Sequence, residues 1–208
     1  MTYSLIHRFV YPNVIASFHL VKEALKCLQS MVKVAIVGHS QVPQEIIIPG
    51  VETRVFRKPG ARIHDFHRDL LPELLSFSAD IIVIFLGGND IDARPDCALR
   101  VAEGLKGVVE ILKDSCREVI FIQIEWRDFS RTRVPGLTKE IYNQRRATIN
   151  RNLKRYCSRH NIHAINTGLE DLERVRRDGV HFARESASVL KRKIIRAIRH
   201  AIGRLERH

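Results

Sequence analysis

Several features that would assign a protein class at once are missing from this sequence of 208 residues. No apolar run approaches the roughly 20 residues of a membrane-spanning helix. Charged residues interrupt the segment 1–30, which therefore lacks the layout of a signal peptide. Only four cysteines occur, each isolated, a pattern that fits neither a disulfide framework nor a zinc site. These absences predict a cytoplasmic location, reduced structural thiols and no metal.

The glycine-rich loops that hold nucleotides are absent as well. Neither a Gly-x-Gly-x-x-Gly fingerprint nor a phosphate-binding Gly-Lys-Ser/Thr loop occurs in the sequence. The histidines also lack the His-Glu-x-x-His spacing of a metalloprotease. We therefore expect no cofactor, and chemistry carried out by the side chains of the chain itself.

The net charge of +12 is unevenly distributed along the chain. Residues 1–104 hold 11 Lys/Arg and 11 Asp/Glu, whereas residues 105–208 hold 24 and 12. A one-sided basic half is typical of proteins that bind nucleic acid or anionic lipid. It is also a common solubilising surface, and the sequence leaves both interpretations open. The candidate polyanion-binding residues are Arg145, Arg155, Arg192, Arg196 and Arg199.

Apolar runs of strand length alternate with helical patterns along the chain. The predicted strands cover 32–37, 52–57, 80–86, 118–125 and 163–166. The predicted helices cover 17–30, 63–76, 96–115, 139–160 and 187–205. Apolar strands that alternate with amphipathic helices are typical of a parallel sheet covered on both faces. We therefore expect one α/β domain over 1–208, a flavodoxin-like three-layer α/β/α sandwich with a five-stranded parallel sheet and an N-terminal helical lead-in over 1–30.

The predicted C-terminal helix has two distinct faces. Apolar residues recur at steps of three and four from Val189 to Leu205, which predicts a stripe that packs on the sheet. Lys and Arg side chains fall largely outside this stripe, with only Glu185 and Glu206 as nearby acidic residues. We therefore expect a basic, solvent-facing surface on this helix.

Polar residues follow the ends of the first three predicted strands. The first ends at Gly38-His39-Ser40, the second near Gly60, and the third at Gly87-Gly88-Asn89-Asp90. In a sheet of order 2-1-3-4-5, these ends meet at the crevice where open α/β sheets bind ligands. The segment Asp178-Gly179-Val180-His181 follows the fifth strand and can reach the same crevice. A hydroxyl, an imidazole, a carboxylate and amide donors are the groups that nucleophilic acyl transfer requires.

Each of these residues also has an ordinary structural role. Ser40 is a suitable helix N-cap, Gly60 and Gly87 are suitable turn glycines, and Asn89 is suited to an Asx-turn. Asp178 fits a loop-capping acid and His181 a surface histidine. If no active site is present, all four segments must have only these structural roles. They must also occur by coincidence in this order and after strands of the right type.

The four segments together resemble the SGNH, or GDSL-type, hydrolase family. Gly38-His39-Ser40, Gly60, Gly87-Gly88-Asn89-Asp90 and Asp178-Gly179-Val180-His181 match its four sequence blocks in the family's order. The resemblance implies that Ser40 is the nucleophile, His181 the base and Asp178 the carboxylate that orients His181. It also implies an oxyanion hole formed by the Ser40 N–H, the Gly60 N–H and the Asn89 side-chain amide.

The implied activity is that of a serine esterase for short-chain, acetyl-type oxygen esters, with a small acyl ester as the partner. The segment 34–91 is further similar to esterase-like domains of LINE-type retrotransposon proteins, whereas carbohydrate acetylesterases and lysophospholipases share the same blocks. His39 stands where the family has an aspartate. The alternative is therefore a catalytically weak or inactive module that binds nucleic acid or an anionic membrane through its basic half.

Overall fold

The computed structural model of the chain describes residues 31–128, 135–168 and 179–207. The chain divides into two compact units, Met1–Met31 and Val32–His208, and every strand and helix named below belongs to the second. The helix predicted over 17–30 lies outside the described residues, as does Asp178.

Five strands form one parallel sheet, as the alternation of apolar strands and helices predicted. The strands are β1 (Val32–Gly38), β2 (Val51–Arg57), β3 (Ile81–Phe85), β4 (Glu118–Ile122) and β5 (His163–Ile165). Their order is β2-β1-β3-β4-β5 and each neighbouring pair is parallel, which confirms the predicted topology. The register sets Gly38 beside Arg57 on one side and Phe85 on the other. The carboxyl ends of β2, β1 and β3 therefore lie at the same level.

Helices cover both faces of the sheet. They are α1 (Ile63–Asp65), α2 (Leu71–Phe77), α3 (Cys97–Lys113), α4 (Lys139–Arg159) and α5 (Arg184–Leu205). Ala35 and Val37 of β1 pack in the core that α2, α3 and α4 cover. Val34 and Ile36, which point the opposite way, pack in the core that α5 covers. The alternation of strand side chains thus produces the predicted three layers.

The helical pattern predicted over 63–76 is not one continuous α-helix. A π-helical turn, Phe66–Leu70, separates α1 from α2, and the Leu71 N–H bonds to the Phe66 carbonyl five residues earlier. Pro72 follows at the start of α2 and has no N–H to donate to the carbonyl four residues before it. The widened turn accommodates that missing hydrogen bond.

The fourth strand ends at Ile122, three residues before the predicted end at 125. Beyond the end of the strand, the buried side-chain amide of Asn150 forms the backbone hydrogen bonds that a neighbouring strand would otherwise form. Its Oδ1 accepts from the Ile124 N–H at 2.9 Å and its Nδ2 donates to the Ile124 carbonyl at 2.8 Å. With the N–H and carbonyl of Ile124 hydrogen-bonded in this way, the backbone continues to Asp128.

The apolar stripe of α5 is confirmed, since Leu190, Ile194 and Ile198 are fully buried against the sheet. The helix begins at Arg184, three residues before the predicted start at 187. Its basic face is partly engaged: Arg204 forms an ion pair with Glu118 of β4 at 2.8 Å. In the parts of the chain that the structure describes, no helix is both long and apolar enough to cross a membrane.

Candidate active site

Ser40 and His181 are in hydrogen-bond contact although 141 positions separate them in the chain. Ser40 Oγ lies 2.9 Å from His181 Nε2. Ser40 stands in the turn that follows β1, and His181 lies just before α5. With the imidazole proton on Nδ1, the free Nε2 accepts the serine proton, which is the arrangement that a serine nucleophile and its base require.

The segment that carries His181 is fixed to the body of the sheet on two sides. The Asp128 N–H donates to the Gly179 carbonyl at 2.8 Å, and Gln41 Nε2 donates to the Val180 carbonyl. Gly179 has φ +70°, and a Cβ there would lie only 1.8 Å from the Asp128 carbonyl oxygen. Only glycine permits this close approach and this left-handed conformation.

Asn89 is held in a defined orientation beyond the end of β3. Its Nδ2 donates to the Ala61 carbonyl at 3.0 Å, and its Oδ1 accepts from Arg127 Nη1 at 3.0 Å. Because a guanidinium only donates and a carbonyl only accepts, these partners fix which end of the amide carries the hydrogens. One N–H of Asn89 Nδ2 remains to donate elsewhere.

Arg127 is a buried cation that the sequence did not single out, since it occurs among other arginines of a predicted loop. Its side chain is only 4% exposed, and its Nη1 also donates to the Gly88 carbonyl at 3.2 Å. The guanidinium lies over the Tyr142 ring, 5.5 Å from its centroid. Gly88 leaves room for it, because a Cβ there would approach Arg127 Nη2 to 2.7 Å.

The backbone N–H groups of Ser40 and Gly60 donate to no group in the described residues. Ser40 and His181 line a surface depression of about 800 Å³. Gly60, Asn89 and Arg127 line a second depression of about 530 Å³, whose wall includes Val180 next to His181. The structure thus brings Ser40 and His181 together in one depression, and Gly60 and Asn89 together in the other.

His39, which stands where the family has an aspartate, is a buried side chain that accepts one backbone hydrogen bond. The ring is 1% exposed, packs on Phe85 with 4.7 Å between ring centroids, and accepts the Gln41 N–H at Nδ1 over 3.3 Å. Burial, followed by the nearby positive charge of Arg127 and the neighbouring His181 ring, lowers the pKa of His39 well below its usual value. His39 is therefore neutral in the folded protein, and its Nδ1 is free to accept.

Asp90, the last residue of the third block, has a structural role at the start of α1. Its carboxylate accepts the Ile63 N–H at 3.1 and 3.3 Å. Burial raises the pKa of the Asp90 carboxyl to about 6, even though this hydrogen bond and nearby Arg62 oppose the shift. The contact ties the loop after β3 to the loop that contains Gly60.

The basic residues named as polyanion contacts are divided between two layers. Arg192, Arg196 and Arg199 are exposed on α5. Arg155 is exposed on α4, in the opposite layer, and the half-buried Arg145 donates from Nη2 to the Ala93 carbonyl at 2.7 Å. The two helices therefore do not share one face of the sheet.

A parallel α/β/α domain with a serine–histidine pair at the carboxyl ends of its strands defines a hydrolase of the SGNH type. The chain belongs to the GDSL-like Lipase/Acylhydrolase family, whose model matches residues 41–186. This family places the protein among the carboxylic ester hydrolases. The match begins at the residue after Ser40 and includes the other three blocks.

Solved structures of hydrolases share this fold. A lipase/acylhydrolase from Enterococcus faecalis has a TM-score of 0.64 and 21% identity, over 82% of this chain and 97% of its own. Axe2, an acetylxylan esterase from Geobacillus stearothermophilus, has a TM-score of 0.58 and 14% identity, over 79% and 93%. LAE5, an alpha/beta hydrolase enzyme from the metagenome of Lake Arreo, Spain, has a TM-score of 0.59 and 12% identity, over 80% and 94%.

No curated protein matches the chain. The family and the structural neighbours do not test the narrower similarity to LINE-type retrotransposon proteins, which stays a prediction. Within the described residues, no group of three or more His, Cys, Asp or Glu side chains is placed to hold a metal ion.

Proposed function

We propose that the protein is a serine esterase that hydrolyses short-chain acyl oxygen esters, with Ser40 as nucleophile and His181 as general base. The observation that carries this proposal is the 2.9 Å contact between Ser40 Oγ and His181 Nε2. It joins the first and last family blocks with the geometry that proton transfer needs.

In the first half of the reaction, Ser40 Oγ attacks the ester carbonyl carbon while His181 Nε2 takes the hydroxyl proton. The C–O bond to the alcohol then breaks, and His181 returns the proton to the departing alkoxide. In the second half, His181 removes a proton from water, and the hydroxide attacks the acyl carbon. The acid product leaves and the proton returns to Ser40.

The negative oxygen of each tetrahedral intermediate is stabilised by the N–H groups of Ser40 and Gly60 and by Asn89 Nδ2. Support for this assignment comes from the two backbone N–H groups without a described acceptor and from the remaining Asn89 N–H. Arg127 contributes by holding Asn89 Oδ1, which keeps the amide hydrogens in place.

Asp178 is proposed as the carboxylate that holds the tautomer of His181. It lies outside the described residues, and its role rests on the Asp-x-x-His block in the sequence. A carboxylate three residues before the histidine is the group that the neutral imidazole needs at Nδ1.

Short acyl groups are proposed because no long apolar segment is available in the sequence to cover a fatty chain. The structural similarity to Axe2, an acetylxylan esterase, is in keeping with an acetyl ester. Carbohydrate acetates, lysophospholipids and simple acyl esters are therefore the classes to compare.

Two measurements test this function. A fluorophosphonate probe should label Ser40, identified by peptide mass spectrometry, and should not label Ser40→Ala protein. A series of para-nitrophenyl esters should then give the highest kcat/KM for acetate or propionate. Labelling at another serine, or no labelling together with no hydrolysis, would contradict the proposal.

A second candidate function is the binding of polyanions by the solvent face of α5. Arg192, Arg196 and Arg199 are exposed, and none has a carboxylate within 4.0 Å in the described residues. Phosphate contacts release counterions, so retention on RNA should fall with salt by roughly 0.7 log units per contact per log unit of salt.

Reversing these three arginines to glutamate should remove the retention on RNA. Ester hydrolysis by the same preparation serves as the check that the domain is folded. A native protein that RNA or acidic vesicles do not retain even at low salt would leave this face with a solubilising role only.

A further inference from the structure

The depression that holds Ser40 and His181 is lined with cations. Arg57 at the end of β2, and Arg184 and Lys191 on one face of the first turns of α5, all contribute to its wall. Among the described residues in that lining, Glu45 is the one carboxylate, and its side chain is exposed.

These cations have no acidic partner in the described residues. Arg57, Arg184 and Lys191 each lack a carboxylate within 4.0 Å, and Arg57 makes only a long contact of 3.4 Å to the Val42 carbonyl.

The second depression shows the contrasting arrangement. There Arg94 and Arg100 each lie 2.7 Å from the Asp92 carboxylate, which neutralises much of their charge. The three cations in the lining of the first depression outnumber the single carboxylate among its described residues, so they produce a net positive field in the space where the ester would be held.

From this placement we propose that the ester substrate carries an anionic group, a carboxylate or a phosphate, that Arg57, Arg184 and Lys191 bind while Ser40 attacks the acyl carbon. The inference rests on the proposed esterase function and names the substrate class of the same site. Anionic oxygens form stronger hydrogen bonds with guanidinium and ammonium groups than neutral oxygens do. Since the cations and the nucleophile share one depression, the charge and the ester belong to the same small molecule.

The test compares acetate esters that differ in charge but release similar phenols. We expect a higher kcat/KM for para-acetoxybenzoate and para-acetoxyphenyl phosphate than for the neutral para-acetoxybenzamide. The para position keeps the anionic group from attacking its own ester. Because the cations are partly exposed, the preference should shrink as salt shortens the screening length to about 3 Å at 1 M.

The variant that tests the assignment is Arg184→Gln with Lys191→Gln, which removes two cations from the wall. The ratio of kcat/KM for the anionic ester to that for the neutral ester should fall about tenfold, the effect of losing one charge-assisted hydrogen bond. The matched control is Arg151→Gln with Lys154→Gln, which removes two exposed cations of α4 in the opposite layer. This control should keep the wild-type ratio.

A direct binding measurement keeps the two proposals separable. Phenyl phosphate, which has no carboxylic ester, should bind wild-type protein in calorimetry and bind the Arg184→Gln, Lys191→Gln variant about tenfold more weakly. If phenyl phosphate binds in this way but no ester is hydrolysed, the anion site stands and the esterase proposal fails. If esters are hydrolysed with an equal ratio in wild type and variant, and phenyl phosphate does not distinguish them, the anion site is refuted.

Discussion

Replacing Arg127 by methionine should lower kcat for an acetate ester while changing KM little. Methionine keeps much of the buried length but removes the donor that holds Asn89 Oδ1 at 3.0 Å. The amide is then free to turn, and its hydrogens no longer point consistently toward the developing oxyanion. The loss appears in kcat because the oxyanion exists only in the transition state and the intermediates that form after it.

The size of the effect is set by the contact that is lost. A hydrogen bond with one charged partner contributes about 1.5–3 kcal/mol, which corresponds to a fall in kcat of about ten- to a hundredfold. The largest possible fall in kcat is the one that follows from losing the Asn89 amide altogether. Loss of one oxyanion donor lowers kcat by about 10²–10³. Arg127→Met should therefore be less damaging than Asn89→Ala.

A double-mutant cycle on para-nitrophenyl acetate tests whether Arg127 acts through Asn89. Wild type, Arg127→Met, Asn89→Ala and the double variant are compared by kcat and KM, with thermal unfolding as the measure of folding. If Arg127 positions Asn89, its removal should change kcat little once Asn89 is already alanine. Additive losses in kcat, or an effect confined to KM, would refute the positioning role. Arg127→Lys, which keeps the charge without the planar fork, should lie between wild type and Arg127→Met.

Three further predictions concern the nucleophile, the loop that carries the base, and pH. Ser40→Ala should abolish ester hydrolysis and leave thermal unfolding unchanged; near-wild-type activity would point to another nucleophile. Gly179→Ala should lower both activity and the free energy of unfolding by more than about 1 kcal/mol, because its Cβ would meet the Asp128 carbonyl at 1.8 Å. The matched control, Gly107→Ala, adds a Cβ with nothing within 4 Å and should be tolerated. The pKa of His39 in the folded state lies below its ordinary 6.5, so unfolding below pH 6.5 takes up a proton, and the free energy of unfolding should fall as the pH drops below 6.5. In urea titrations at several pH values, His39→Gln should show a shallower fall than wild type. Identical pH profiles of the two proteins would contradict this role of His39.

The strands of the sheet could be predicted because each one has a recognisable apolar pattern within its own segment of the sequence. Ile81–Phe85 is apolar at every position, as a strand buried on both faces must be. The end of the fourth strand could not be predicted, since Ile124 continues the apolar pattern of β4 beyond Gln123. The strand is ended by the amide of Asn150, on a helix 26 residues further along the chain.

The candidate site was predictable where local sequence determines the chemistry. Ser40 and Asn89 each follow a strand and a glycine, and the family's block order places them at one edge of the sheet. Arg127 was not predictable, because an arginine in a loop is exposed far more often than buried. Its burial depends on the Tyr142 ring and on the space at Gly88, and only the folded chain brings these three residues together.

The 141 positions between Ser40 and His181 also separate the two members of the proposed catalytic pair in the order of synthesis. Ser40 and all five strands are synthesised before Gly179 and His181. A chain that ends before His181 therefore holds Ser40 without the imidazole that the proposed mechanism requires. Ester hydrolysis by ribosome-bound chains of increasing length would thus report, in a single signal, that the last segment has docked on the sheet.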